Sequence, residues 1–327
     1  MTAKTVPIAT DTEALPADLQ ENLRTYADQA AAAYSENTAR AIRADTARFA
    51  SWCGERNLTN LPATAETVAA FVDAMAPERA AATVQRYVAS IGHLHRAAGA
   101  ADPTRTEVVR LALRRLRRTY GTRQRQAAGI TSDLRARLLD AADPARIKGL
   151  RDRALLAVAY DTLMRRSELA ALELSDLSCA ADGSGSVLVR RSKGDPDGRG
   201  QVRYLAPDTL TMVRAWLSAA GVADGPLFRT LRKGGAVRQN RLDPGDIARI
   251  FKELGRAAGA RQEAVQQLSG HSTRIGAAQD LVAIGVGIPQ VMRDGGWRSP
   301  TMIARYTEHQ DIKHGGMARL AATQRRG

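Results

Sequence analysis

Cysteine is scarce in this chain. Cys53 and Cys179 are the two in 327 residues, far apart and outside any metal-ligand spacing. That argues against a disulfide framework or a cysteine zinc site and fits a reducing cytosol. No run is long and apolar enough to span a bilayer. The N-terminus, MTAKTVPIATDTEALPADLQ, carries acids and lacks the apolar core of a signal peptide. A G-x-x-x-x-G-K-[ST] nucleotide loop is missing, as are internal repeats and low-complexity tracts. Acids are outnumbered, with 34 Asp and Glu against 48 Lys and Arg. The resulting charge of +14 and pI near 10.5 favour a polyanionic partner, nucleic acid before an anionic membrane. No strongly amphipathic basic anchor supports the membrane alternative.

What is present is mostly helical pattern, in a length that allows one large domain or two ordinary ones. Residues 1–18 read as a polar tail with two prolines. Residues 19–120 read as a helical domain. SENTARAIRADTARFASWCGERN begins on Ser35, TAETVAAFVDAMA follows Pro62, RAAATVQRYVASIGHLHRAAGA runs out at Gly99, and PTRTEVVRLALRRLRRTYG closes near Gly121. The last of these and its tail, residues 104–125, hold eight arginines against one glutamate. So few acids beside RRLRR favour phosphate contact by Arg114, Arg115, Arg117 and Arg118 over a plain solvated face. Residues 121–131 have the glycines and lost periodicity of a linker, and 132–327 form the second domain, with Thr131 or Ser132 as its first helix cap. There, SGSVLVRRSKGDPDGRGQVRYLAP predicts a β-hairpin with strands near 187–189 and 201–205. Helices are expected from there to the C-terminus. The expected fold class is mainly α with a small β-sheet, in two domains.

Five separated stretches offer groups suited to phosphoryl transfer. Arg165 and Glu168 sit at i and i+3, so they can pair on one helical face, the carboxylate orienting a guanidinium that grips two oxygens. Lys193, at the hairpin turn, can hand a proton to a leaving oxygen. His271 and Arg274, in LSGHSTRIGAA, share a face at the same spacing. The indole N–H of Trp297 is a donor that never ionises. Tyr306 can attack phosphorus and form an ester, although a phenol ionises near pH 10 and needs cations close by. Taken singly, each has a plainer reading: a helix salt bridge, a solvated turn lysine, a helix start, a core plug, a half-buried tyrosine.

The order of the set says more than any member. With YDTLMRRSELAALELSDL, SGHSTRIGAAQDLVAIGVGIPQVMRDGGW and IARYTEH, the chain resembles the tyrosine recombinase (phage integrase) family, most strongly its Cre-like members. The resemblance extends over nearly everything beyond about residue 20. It implies that Tyr306 is the nucleophile, leaving a 3′-phosphotyrosyl link and a free 5′-hydroxyl. Arg165 and Arg274 would clamp the non-bridging oxygens, His271 would assist proton transfer from Tyr306, Lys193 would protonate the 5′ oxygen, Trp297 would donate to the phosphate, and Glu168 would position Arg165. No metal and no cofactor enters this chemistry; His309 and His314 are too isolated to argue otherwise.

The same resemblance implies a two-domain DNA clamp, with a helical core-binding domain and a tyrosine-recombinase catalytic domain. Arg40, Arg43, Arg48 and Arg86 are the candidates for reading or holding the double-stranded DNA target. It implies an inverted-repeat site, a homotetramer on two such sites passing through a Holliday junction, and a C-terminal helix, striped by Met317 and Leu320, that docks on a neighbouring subunit. Little chain precedes residue 20, so no arm-binding domain and no accessory protein is expected, and the protein would act in the cytoplasm on nucleoid DNA. Two alternatives remain: a type IB topoisomerase-like strand-passing enzyme, and a catalytically silent DNA-binding protein.

Overall fold

The computed structural model describes residues 15–30, 33–123, 125–192, 194–195, 197–314 and 316–324. Most of the tail expected over residues 1–18 therefore lies outside the described residues. Two compact units emerge, Met1–Arg125 and Gln126–Gly327.

Side-chain caps start two helices of the first unit. Among its described residues the α-helices are α1 (Ala17–Ala30), α2 (Glu36–Gly54), α3 (Ala65–Met75), α4 (Ala81–Ala97) and α5 (Glu107–Tyr120). Ser35 Oγ accepts the Thr38 amide at 3.2 Å at the head of α2, and Thr64 Oγ1 accepts that of Thr67 at 3.2 Å at the head of α3. Phe49, Phe71, Val84, Ile91, Val109 and Leu116 interlock as the core of the unit. One buried polar group is tied in as well. His95 accepts the Ala63 amide on Nε2 at 2.8 Å and meets the Ile91 carbonyl through Nδ1 at 2.8 Å, which sets the neutral tautomer with the proton on Nδ1. Burial lowers its pKa accordingly.

The second unit runs α6 (Ser132–Asp140), α7 (Ile147–Thr162), α8 (Arg166–Ala171), β1 (Leu177–Cys179), β2 (Gly185–Val189), β3 (Gln201–Leu205), α9 (Pro207–Ala220), β4 (Arg229–Leu231), β5 (Val237–Arg241), α10 (Pro244–Ala257), α11 (Gln262–Gln267), α12 (Ser272–Ala283), α13 (Ile288–Gly295), α14 (Thr301–His314) and α15 (Gly316–Thr323). The chain is mainly α with small sheets. Strands β1, β2 and β3 form an antiparallel sheet in that order, with Gly185 opposite Leu205 and Val189 opposite Gln201. Helix α7 is buried along most of its length, with Arg151 and Asp152 paired inside at 2.6 Å and Leu155, Leu156 and Val158 in one core with Trp216, Phe228 and Phe251. Among the described residues no helix is long and apolar enough to cross a membrane.

Three features depart from the sequence reading. The antiparallel pair β4–β5 lies where helices were expected, because Val237–Arg241 is polar and mostly exposed and shows no alternation of apolar residues. Strand β1 is only three residues long, two of them exposed. At the head of α6, Thr131 stands at the N-cap position without capping through its side chain, and Asp280 of α12 accepts the Ser132 amide at 2.7 Å instead.

Residues 126–131 pack as part of the second unit. The Ala128 amide donates to the Gln267 carbonyl at 3.1 Å and the Ile130 amide to that of Ser272 at 2.8 Å, and Ile130 is fully buried. This strap crosses α12 over Gly276, where a Cβ atom would run into the Ile130 carbonyl. Gly276→Ala is therefore expected to destabilise the unit by about 1–3 kcal/mol, the usual cost of overpacking. A lower denaturant midpoint at unchanged slope checks this.

Candidate active site

The site begins where α7 stops. Leu163 turns into the left-handed region, φ 50°, which costs a side-chain-bearing residue about 1–2 kcal/mol and persists only where neighbours enforce it. Its buried side chain anchors the turn, and its carbonyl accepts a hydrogen bond from Nη1 of Arg274. The break puts Arg165 at the N-cap of α8 rather than inside a helix. Arg165 and Glu168 do pair, but the pairing is a cap. Glu168 accepts the Arg165 amide on Oε2 at 2.9 Å and its guanidinium on Oε1 at 2.7 Å. Both carboxylate oxygens are thus used, which offsets the burial of the Glu168 charge.

His271 and Arg274 open α12 in the same manner. His271 is the N-cap and Arg274 lies in the first turn. The preceding turn is tied, with Ser272 Oγ accepting the Ser269 amide at 2.9 Å and Ser269 Oγ accepting the His271 amide at 3.1 Å. His271 keeps an exposed edge, while packing on its other side lowers its pKa. Arg274, Arg166 and Arg165 lower it further, against a smaller opposite pull from Glu168. The imidazole is neutral at pH 7 and able to accept a proton. Its NMR titration is expected below the ordinary 6.5, and Arg166→Ala is expected to move the midpoint up by removing one of the repelling charges. A midpoint at or above 6.5 in the native protein contradicts this electrostatic reading.

Arg274 is 2% exposed. Its guanidinium lies 3.8 Å from the centre of the Trp297 ring, and Nη2 is buried with no hydrogen-bond partner. Burial, and then the nearby Arg165, push its pKa down to about 9, which still leaves a cation at neutral pH. A buried donor without an acceptor costs about 1–3 kcal/mol, more when charged. This one therefore favours an anionic oxygen beside Arg165.

Trp297 is placed by the two glycines before it. The indole folds back over Gly295, where any Cβ would collide with the ring, and Gly296 takes the left-handed turn at φ 64°. The half-buried ring packs face-on to Arg274 rather than plugging the core alone. Tyr306 of α14 meets Trp297 edge-on, ring centres 6.2 Å apart. Its carbonyl accepts from Gln279 Nε2 of α12 at 2.9 Å, and Ile275, Val291 and Ile303 pack around it.

The structure thus gathers Arg165, Glu168, His271, Arg274, Trp297 and Tyr306 at one place. Lys193 lies outside the described residues; Ser192 and Gly194 flank it. The candidate DNA-contact arginines of the first unit are spread over α2, α4 and α5. Arg40 pairs with Glu36 at 2.9 Å, Arg48 with Glu78 at 3.2 Å and Arg115 with Asp73 at 2.7 Å, all exposed. Arg43 is half-buried, and Arg114, Arg117 and Arg118 are exposed on α5. Arg86 has a structural task, since it and Ser90 satisfy the buried Asp45 carboxylate at 2.5 and 2.8 Å. Two residues beside the site escaped the sequence reading. Arg166 was visible in the doublet of LMRRSE, whereas nothing local marks Gln279.

Known proteins resemble this chain in sequence and in fold. The model of the phage integrase family matches residues 129–313. An integrase/recombinase XerD homologue of Selenomonas ruminantium is 31% identical over 85% of this chain and 83% of its own length. The recombinase Cre of Escherichia phage P1 is 31% identical over 88% of each. Among solved structures, the XerH site-specific recombinase bound to palindromic difH substrate, a post-cleavage complex, superposes with a TM-score of 0.64 at 14% identity, covering 94% of this chain and 92% of that one. A lambda integrase dimer bound to a COC′ core site gives 0.58 at 17% identity, covering 88% and 77%.

Proposed function

The chain belongs to the phage integrase family and is a tyrosine site-specific recombinase, and from that premise we propose that it cuts and rejoins double-stranded DNA through Tyr306. The observation that carries this reading is the buried, unpartnered Nη2 of Arg274, held beside Arg165 and within ring contact of the Trp297–Tyr306 pair. A scissile phosphate supplies the missing acceptor.

The step balances as follows. The Tyr306 oxygen attacks phosphorus and its proton passes to neutral His271. The bond from phosphorus to the 5′ oxygen breaks, and that oxygen takes a proton from the Lys193 ammonium. A 3′-phosphotyrosyl ester and a 5′-hydroxyl result. Arg165 and Arg274 bear the negative charge that grows on the non-bridging oxygens, the kind of preoriented donor that contributes about 10²–10³ in rate. Glu168 fixes the orientation of Arg165. The ester conserves the phosphodiester's energy, so attack by another strand's 5′-hydroxyl rejoins DNA without a nucleotide cofactor.

Exchange between duplexes needs two sites and two strand swaps. The protein acts as a homotetramer on two inverted-repeat sites, by way of a Holliday junction, with purified protein and DNA as the complete system. Arg114, Arg115, Arg117 and Arg118 hold phosphates. Arg40, Arg43, Arg48 and Arg86 are the candidates for groove contacts, and α15 with exposed Met317 and Leu320 docks on a neighbouring subunit. The test is a plasmid carrying two copies of a site recovered from the source replicon. Excision of the intervening segment by purified protein supports the reading. Relaxation of supercoils without excision, on any plasmid, identifies a topoisomerase instead.

A further inference from the structure

The β2–β3 hairpin is fastened to the Trp297 turn at two places, and neither fastening belongs to the set of groups that touch the phosphate. The first is Arg203 on β3, a buried guanidinium. Its Nη1 donates to the main-chain oxygen of Arg293 at 2.8 Å and to that of Asp294, and its Nη2 donates to Gln201 Oε1 at 2.5 Å. Those carbonyls end α13, just ahead of Gly295, Gly296 and Trp297. Carbonyls in a last turn attract cations, so Arg203 supplies a donor to the Asp294 carbonyl and a second one to the Arg293 carbonyl, which already accepts the Gly296 amide at 3.2 Å, and it fixes where the turn begins. A Cβ on Gly296 would sit 2.7 Å from Arg203 Nη2, so the strand's guanidinium rests against the turn itself.

The second fastening comes from the other side of the tryptophan. Arg298 donates through Nη2 to the main-chain oxygen of Gly194 in the hairpin loop. Gly194 is held in turn by Ser192, whose Oγ accepts its amide at 3.2 Å. The residue following Trp297 therefore grips the residue following Lys193. One grip is deep and one is exposed. Together they join the loop that carries Lys193 to the turn whose indole stacks on Arg274.

We propose that Arg298 and Arg203 are positioning residues that hold the β2–β3 loop to the Trp297 turn so that the proton donor for the departing 5′ oxygen is in register with the arginine-bound phosphate. This rests on the reading of Lys193 as that donor. A general acid contributes about 10²–10⁴ in rate only when it is within hydrogen-bond reach of the leaving atom. A loop anchored at one neighbour of the lysine restricts where its amine can go. Freeing the loop lowers the fraction of complexes with the donor in place and leaves the nucleophile and the phosphate clamp as they were.

Sulfur in place of the 5′ oxygen separates this role from a general loosening of the site, because a thiolate departs without being protonated. The experiment uses the full chain and a duplex of the captured site, with oxygen or a single bridging sulfur at the scissile phosphate, and measures single-turnover cleavage by native protein, Arg298→Ala, Arg203→Lys and Lys193→Ala. Arg298 is exposed, so its variant is expected to fold; Arg203→Lys keeps a buried cation but loses the fork. Arg298→Ala is expected to cut the oxygen duplex roughly 10-fold more slowly, a fraction of the 10²–10⁴ assigned to the acid, and the sulfur duplex within about 2-fold of native. Arg203→Lys should follow the same pattern, and Arg298→Lys should recover part of the loss. Equal slowing on both duplexes, or native rates on both, overturns the inference. If Lys193→Ala regains speed on sulfur while Arg298→Ala does not, the fastening is wrong and the donor stands. If Lys193→Ala gains nothing from sulfur, the donor assignment falls and the inference with it.

Discussion

Tyr306→Phe is expected to bind its DNA site with native affinity and to form no covalent complex at all. The substitution deletes one oxygen and keeps the ring that meets Trp297 edge-on at 6.2 Å. The packing of Ile275, Val291 and Ile303 around that ring is untouched, so the fold and the phosphate clamp should persist. No other group replaces the missing nucleophile, since the chemistry requires an oxygen positioned in line with the bond that breaks. Gel shift in native conditions and retention of DNA after boiling in detergent read the two halves of this expectation separately. Binding without retention is the predicted pair.

The second large effect belongs to Arg274. Arg274→Ala removes a charge that stacks on Trp297, bonds the Leu163 carbonyl and presents an unpartnered nitrogen. Loss of one preoriented donor of this type costs about 10²–10³ in the cleavage step. Arg274→Lys is expected to do little better. A lysine ammonium is a point charge that cannot hold the Leu163 carbonyl and the phosphate in one plane while lying flat on an indole. Single-turnover cleavage at saturating protein gives the magnitude. The same substitution should also lower stability, because it empties one of the largest fully buried side-chain sites and leaves the left-handed Leu163 turn without its clasp.

Much of this could be read before any coordinates. The helices of the first unit announced themselves through Ser35 at the head of α2 and Gly99 and Gly121 beyond the ends of α4 and α5, since caps and left-handed glycines are local chemistry. The β2–β3 hairpin was legible from its valines and its Gly/Asp/Pro turn. Six of the candidate site residues, read in order along the chain, come together in the structure: Arg165, Glu168, His271, Arg274, Trp297 and Tyr306. What stayed hidden depends on contacts between segments distant in sequence. Nothing in DTLMRR marks a helix break, because Leu163 is forced left-handed by the surrounding fold and by Arg274, 111 residues on. Asp280 caps α6 from 148 residues away, and Gln279 reaches the Tyr306 carbonyl across 27. Arg86, expected from the sequence to contact DNA, also holds the buried Asp45 carboxylate, a pairing that nothing near it in the sequence announces. The polar strand β5 carried no alternation to find.

The most direct measurement of the central claim is the chemical address of the protein–DNA bond. Native protein is incubated with fragments of the source replicon, denatured, and digested with trypsin and nuclease, and the peptide masses are read. The account predicts a nucleotide adduct on the peptide YTEHQDIK, residues 306–313, placed on Tyr306 by fragmentation, with phosphate joined through a 3′ end. An adduct on any other residue, or its persistence in Tyr306→Phe, contradicts it.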